Sequence, residues 1–340
     1  MTPSGKTICI LPQQLGLGGP HTFRNGLADA FTRRGMRISS NPLDPDNSAI
    51  LVIGGTRRIA ELRHAKNKGI RVVQRLNGMN WVQRVRFTGV KHFVKAEVGN
   101  LLLAAIRRLA DRVVYQSEFA QGWWERSRGV VAKPQTVIYN GTDLSLFQPG
   151  EFALPVDKYR LLLVEGHHGG GYQQGLFSAV ELADQLNQRL EKQVELVVVG
   201  DVPPLLRQQA QRPGVIIDWR GVMAHAEIPA LERTAHLLYA TDVNAACPNT
   251  VIEALACGLP VVAFATGSMP ELVREGAGKL AAYGTDVWKL EPPDVHALAE
   301  VALEILRDRE RFSLQARQRA LAHFDVEQMA ERYLDFLLGD

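Results

Sequence analysis

The 340 residues predict an α/β chain of two parallel-sheet domains in tandem. Three observations carry this: the length suits two cores, short apolar runs alternate with helix-period segments, and that alternation occurs twice. The content of 46% hydrophobic and 22% charged residues belongs to a folded globular chain and excludes a disordered one.

The first half opens with TICILPQ as a buried strand, QLGLGGPH as a glycine-rich turn, and TFRNGLADAFTRRG as a helix with Phe23, Leu27, Ala30 and Phe31 on one face. AILVIGG, IRVVQRLNG and DRVVYQS follow as strands. NGTDLSLFQPG is turn-rich and reads as the linker, so the expected domains are 1–149 and 150–324. KYRLLLVEG, VELVVVGD, VIIDWRG, AHLLYAT and LPVVAFA are the strands of the second half. The last segment, FDVEQMAERYLDFLL, is an amphipathic helix with Met329, Tyr333 and Leu337 on one stripe. Parallel sheets bind ligands at the carboxyl ends of their strands, which places candidate sites in the loops there.

Charge divides the chain. Residues 1–150 hold 22 Lys+Arg against 9 Asp+Glu, net +13, and the remainder 17 against 27, net −10. The positive half suits an anionic acceptor or membrane surface, against the plainer alternative of a solvated face. From Trp81 to Ile106, Val90, Phe93, Val94, Val98, Leu101, Leu102 and Ala105 keep helical spacing, with Arg84, Arg86, Lys91 and Lys95 around the first part. Core packing is expected for the later portion, and an interfacial surface toward anionic lipid for the earlier one, with Trp81 and Phe87. A nucleic-acid role lacks the expected aromatic interleaving. No apolar run is long enough to span a bilayer and no secretory segment is evident, so a cytoplasmic location is expected. Cys9, Cys247 and Cys257 have neither metal-ligand nor disulfide-framework spacing, and no metal site is expected.

The most informative segment is PNTVIEALACGLPVVAFATGSMPELV, residues 248–273. Asn249 is a candidate cap for a helix from Thr250 to about Cys257, ended by Gly258. The amides at such a helix start suit phosphate oxygens, and Glu253, one turn in, can accept from two adjacent hydroxyls such as a ribose presents. A capped helix whose Glu meets only solvent is the alternative. QLGLGGPH lacks the third glycine of a dinucleotide fingerprint, and neither Gly-x-x-x-x-Gly-Lys-Ser/Thr nor Gly-x-Ser-x-Gly occurs.

This segment resembles the donor-site signature of the family-four retaining glycosyltransferases (glycosyl transferases group 1), as do Gly18-Gly19, VVYQSEF at 113–119, VIYNGTDLSLFQP at 137–149 and the turn from Gly267 to Glu271. The resemblance implies a GT-B architecture, two Rossmann-like parallel-sheet domains facing an interdomain cleft, with helix 325–340 returning to the N-terminal acceptor domain. It implies a metal-independent, retaining transfer of a hexose from a UDP- or GDP-type nucleotide sugar, used as co-substrate without further cofactor, to a hydroxyl-bearing glycan or lipid-linked acceptor. Glu253 would bind the ribose, and the amides of Asn249, Thr250 and Val251 the diphosphate. Gly18 and Gly19 would permit close approach of the first domain. Val222 and Glu271 join the donor candidates, while Arg75 and Asn77 in QRLNGMNW are the catalytic candidates on the acceptor side.

Three positions depart from the family pattern. Ala245 stands where the first Glu of a spaced pair contacts the transferred sugar, EGHHGGGYQQG replaces a loop that usually carries Arg and Lys, and Ser268 replaces a glycine. In that loop His167, His168 and Gly170 offer another route, a glycine nest flanked by histidines, against the alternative of a flexible turn. A protein of the same shape that binds a nucleotide or glycan without turnover is the competing expectation.

Overall fold

The computed structural model describes residues 5–13, 19–150, 154–169 and 173–339. The chain forms two units, residues 1–141 with 325–340, and residues 142–324. The division falls earlier than the expected 149/150 boundary, for a physical reason. Arg233 donates to the carbonyls of Gln148 (2.7 Å) and Leu146 (2.9 Å), and Arg317 to that of Phe147 (2.9 Å), so the turn-rich stretch is fixed to the second unit.

Unit 1 contains β1 (Thr7–Leu11), α1 (Gly19–Arg33), β2 (Arg37–Ser39), β3 (Asn47–Ile53), α2 (Ile59–Asn67), β4 (Arg71–Leu76), α3 (Val90–Leu109), β5 (Arg112–Tyr115), α4 (Glu118–Arg128) and β6 (Gln135–Val137). Its six-stranded sheet has the order β2-β1-β3-β4-β5-β6, and all pairs are parallel. The continuous apolar runs of β1 and β3 are buried, as expected of a parallel sheet covered on both faces.

Unit 2 contains β7 (Lys158–His167), α5 (Gln173–Asn187), β8 (Gln193–Asp201), α6 (Pro204–Gln209), β9 (Ile216–Gly221), α7 (Ile228–Glu232), β10 (Leu237–Ala240), α8 (Asn249–Ala256), β11 (Val261–Phe264), α9 (Met269–Leu272), β12 (Gly278–Ala281), α10 (Val295–Arg307) and α11 (Arg309–His323). Its order is β12-β11-β10-β7-β8-β9, again all parallel. Strand order reverses between β7 and β10, and open α/β sheets bind ligands beyond the carboxyl ends of the strands at such a point.

The last helix, α12 (Val326–Leu338), belongs to unit 1. Val326, Met329, Ala330, Tyr333, Leu334 and Leu337 enter the core made by Phe23, Leu27 and Phe31 of α1. The Tyr333 and Phe23 rings lie 5.7 Å apart.

Helix α3 corrects the expected core stripe. Val98, Leu101 and Ala105 face solvent, and the buried side is Ala96, Asn100, Leu103, Ile106 and Arg107. Two polar residues take this side because both are satisfied. Asn100 exchanges bonds with the Asn80 backbone (2.9 and 2.8 Å), and Arg107 reaches Tyr115 Oη (3.0 Å) and the Gly129 carbonyl (2.9 Å).

Candidate functional site in the second unit

The carboxyl ends of β7 and β10 meet at the reversal of strand order. Leu161 and Leu162 pair with Leu237 and Leu238, and this register carries Glu165 beside Thr241, whose hydroxyl donates to Glu165 Oε1 at 3.0 Å. Burial, then the neighbouring charge of Asp242, pushes the Glu165 carboxyl above the ordinary carboxylate range; burial does the same for Asp242. An acidic pair therefore stands at these strand ends, brought together from distant positions by the strand order.

Beyond β10 the chain turns into α8. The helix begins at Asn249, one residue earlier than expected, and Pro248 takes the cap position with φ −71° and ψ 128°. The predicted Asn249 cap is thereby corrected: the cap residue makes no side-chain bond to the helix. Asn249 and Thr250 are half-buried and Val251 is buried. The first-turn amides of a helix lack intrahelical acceptors and carry its positive dipole end.

Glu253 projects from the next turn and is only 5% exposed. Its Oε1 lies 2.8 Å from His225 Nε2, and that hydrogen bond raises the imidazole pKa above its ordinary value. The His225 ring rests on buried Phe147, with centroids 5.1 Å apart. Glu232 of α7 is buried nearby, and burial, then the Glu253 charge, raises its pKa well above the usual range. These surroundings favour the protonated form of Glu232 and, through the bond to Glu253, of His225.

The backbone around the site is close-packed. At Gly267, φ is +57°, and a Cβ would fall 2.6 Å from Ala245 N and 2.7 Å from Ala245 O, so only glycine fits. Ser268 N donates to Ala245 O at 2.9 Å, which joins the loop before α8 to the turn before α9. Ala245 itself is buried.

The other predicted donor residues are dispersed. His167, exposed, bonds Asp201 (2.9 Å), while buried His168 gives its Nε2 proton to the Val199 carbonyl (3.0 Å). His168 therefore pins β7 to β8, and burial lowers its pKa, opposite to a histidine that gains charge from a phosphate. Val222 is exposed just past β9. Glu271 is buried in α9, its carbonyl accepting from Arg319 (2.9 Å). Gly170 lies outside the described residues, as does Gly18; Gly19 begins α1.

In unit 1, Arg75 is 2% exposed, its guanidinium carbon 3.5 Å from the Phe23 ring centroid and Nη2 2.7 Å from Asn140 Oδ1. The arginine expected to be catalytic is thus packed inside the unit, on Phe23 and Asn140. Asn77 follows β4, half-buried, with its carbonyl accepting from Trp124 Nε1 (2.7 Å). Among the described residues no group of three or more His, Cys, Asp or Glu could hold a metal ion, and Cys9, Cys247 and Cys257 are buried thiols outside any disulfide.

The family description "Glycosyl transferases group 1" matches residues 162–308, from the middle of β7 through α10, with the whole Glu253 region. Over that stretch the chain is similar to the group 1 glycosyltransferases. The D-inositol 3-phosphate glycosyltransferase of Thermobifida fusca is 26% identical over 198 residues, 54% of this chain and 46% of that protein. The matched stretch thus spans less than half the length of that curated relative. Sucrose-phosphate synthase from Thermosynechococcus elongatus is similar in structure, with a TM-score of 0.73 at 18% identity over 97% of this chain and 98% of that one. Anabaena HepE, solved with UDP and glucose, gives 0.70 at 18% identity over 98% and 99%. At these identities the likeness establishes the GT-B fold, with its two parallel six-stranded α/β units.

Proposed function

We propose that this chain is a group 1 glycosyltransferase that moves a hexose from a nucleoside-diphosphate sugar to a hydroxyl on a glycan or lipid-linked acceptor, without a metal and with retention of anomeric configuration. Unit 2 holds the donor and unit 1 the acceptor. The observation that carries the reading is Glu253, a buried carboxylate one turn inside a helix that follows the strand-order reversal. His225 engages Oε1 and leaves Oε2 for a ribose hydroxyl. The amides of Asn249, Thr250 and Val251 are suited to hold the diphosphate and to stabilise charge on the departing group. The structure of HepE with UDP and glucose supports the donor class, since that protein shares the fold.

Loss of a cation from the loop after β7 and the acidic pair Glu165 and Asp242 make the diphosphate end of the site less positive. A GT-B protein that binds nucleotide without turnover is the second reading these residues favour. A transfer assay over UDP- and GDP-sugars, run beside calorimetric titration with UDP and GDP, separates the two. Product with a tight donor supports transfer; binding with no product or hydrolysis supports the binder; neither binding nor product refutes both.

A further inference from the structure

Helix α3 carries a second apolar stripe that nothing in the described structure covers. Val90, Phe93, Val94, Val98 and Leu101 recur at three- and four-residue spacing on one face, and Phe87 stands just ahead of it. Phe87 is 90% exposed, Val90 71% and Leu101 58%. Exposed apolar residues are ordinary when scattered singly, but six aligned on one helix and its lead-in form a contact surface.

The charges around the stripe say what it contacts. Lys91 and Lys95 follow Val90 and Val94 by one residue, so both ammonium groups flank the apolar side and both are exposed. The acid within the stripe is neutralised: Glu97 accepts from Arg84 Nε (2.7 Å) and Nη2 (2.6 Å) and from Gln83 (2.9 Å), which hold its carboxyl down to about 2. The opposite face is anchored through Asn100 and Arg107, so the helix presents the stripe rigidly. Lysines beside an apolar strip can reach lipid phosphates while their stems lie along the hydrocarbon boundary.

We propose that this stripe docks the protein in plane on an anionic bilayer, with Phe87, Val90, Val94, Val98 and Leu101 entering the headgroup boundary and Lys91 and Lys95 contacting lipid phosphates. A second copy of the chain fits less well, because a two-fold contact sets the same surface against itself and brings like lysines together. A polyanion such as nucleic acid would use the cations and leave the apolar residues without a role.

Co-sedimentation of the full chain with phosphatidylcholine vesicles, with and without phosphatidylglycerol, tests this. The wild type is expected on phosphatidylglycerol vesicles and far less on pure phosphatidylcholine, with binding weakened by salt. Phe87→Ser with Val94→Ser should weaken binding about tenfold or more, and Lys91→Gln with Lys95→Gln should cost about tenfold on anionic vesicles only. Melting temperature should stay unchanged, since all four side chains are exposed. UDP titration of unit 2 reads out separately, so failure here leaves the donor assignment standing. Three results overturn the proposal: no binding to anionic vesicles, binding equal in wild type and both variants, or a dimer in sedimentation velocity that Phe87→Ser dissolves.

Discussion

His225 donates from Nε2 to Glu253 Oε1 at 2.8 Å, and the two side chains differ sharply in exposure, 45% for the imidazole and 6% for the carboxylate. The histidine is the reachable end of a buried acid. It sits on a turn before α7 while the acid sits in α8, so the bond fixes the carboxylate from outside its own helix.

The raised His225 pKa sets a pH dependence. A histidine whose folded pKa exceeds its ordinary 6.5 contributes stability that is complete below that ordinary value and disappears as pH rises through the folded value. Chemical denaturation from about pH 5 to about pH 9 should show this loss in the wild type and not in His225→Asn. The same variant should raise the donor KM about threefold to tenfold with little change in kcat, since His225 positions Glu253 and does not itself meet the reacting atoms.

Glu165 has the opposite chemistry. An acid with a raised folded pKa stabilises the fold at low pH, and that advantage fades as pH climbs from the unfolded carboxylate value through the folded one. Glu165→Gln should flatten this part of the urea-denaturation profile. Above the folded pKa of about 8, where the carboxyl is ionised, it should also tighten UDP binding, because a negative group then leaves the strand end.

Gly267→Ala should cost about 2 to 4 kcal/mol, because φ of +57° and the Ala245 backbone both oppose a methyl group. Gly214→Ala is the control: φ is +84° but no atom lies within 4 Å of the added carbon, so only the backbone term of about 1 kcal/mol remains. Urea midpoints of the two variants compare them directly.

Arg75→Ala should act on stability. Its guanidinium is packed on Phe23 and bonded to Asn140, so removal opens a cavity, breaks a buried hydrogen bond and costs about 3 kcal/mol. Thermal melts should fall by several degrees, while UDP affinity of the folded fraction stays unchanged.

The order of strands and helices was legible because parallel strands buried on both faces read as unbroken apolar runs: TICIL, AILVI and VELVVV each became a strand. The short strands Arg37–Ser39, Gln135–Val137 and Gly278–Ala281 did not, for each lies at a sheet edge where one flank needs no partner and the burial pattern weakens. Glu253 stood out through its helix and its flanking glycine and proline. His225, Glu232 and the Glu165–Asp242 pair did not, because strand order and loop packing bring them together and local spacing holds no trace of either. Helix α3 misled in another way: it has two apolar stripes, and the one that packs inward is the one with Asn100 and Arg107.

The central claim is that the Glu253 carboxylate binds a nucleotide ribose. Isothermal titration of UDP and GDP into the wild type, Glu253→Gln and Glu253→Ala tests it most directly. One nucleotide should bind the wild type and lose about tenfold to a hundredfold in affinity with either variant, while both variants remain folded by circular dichroism. Equal affinity for that nucleotide in all three folded proteins would contradict it.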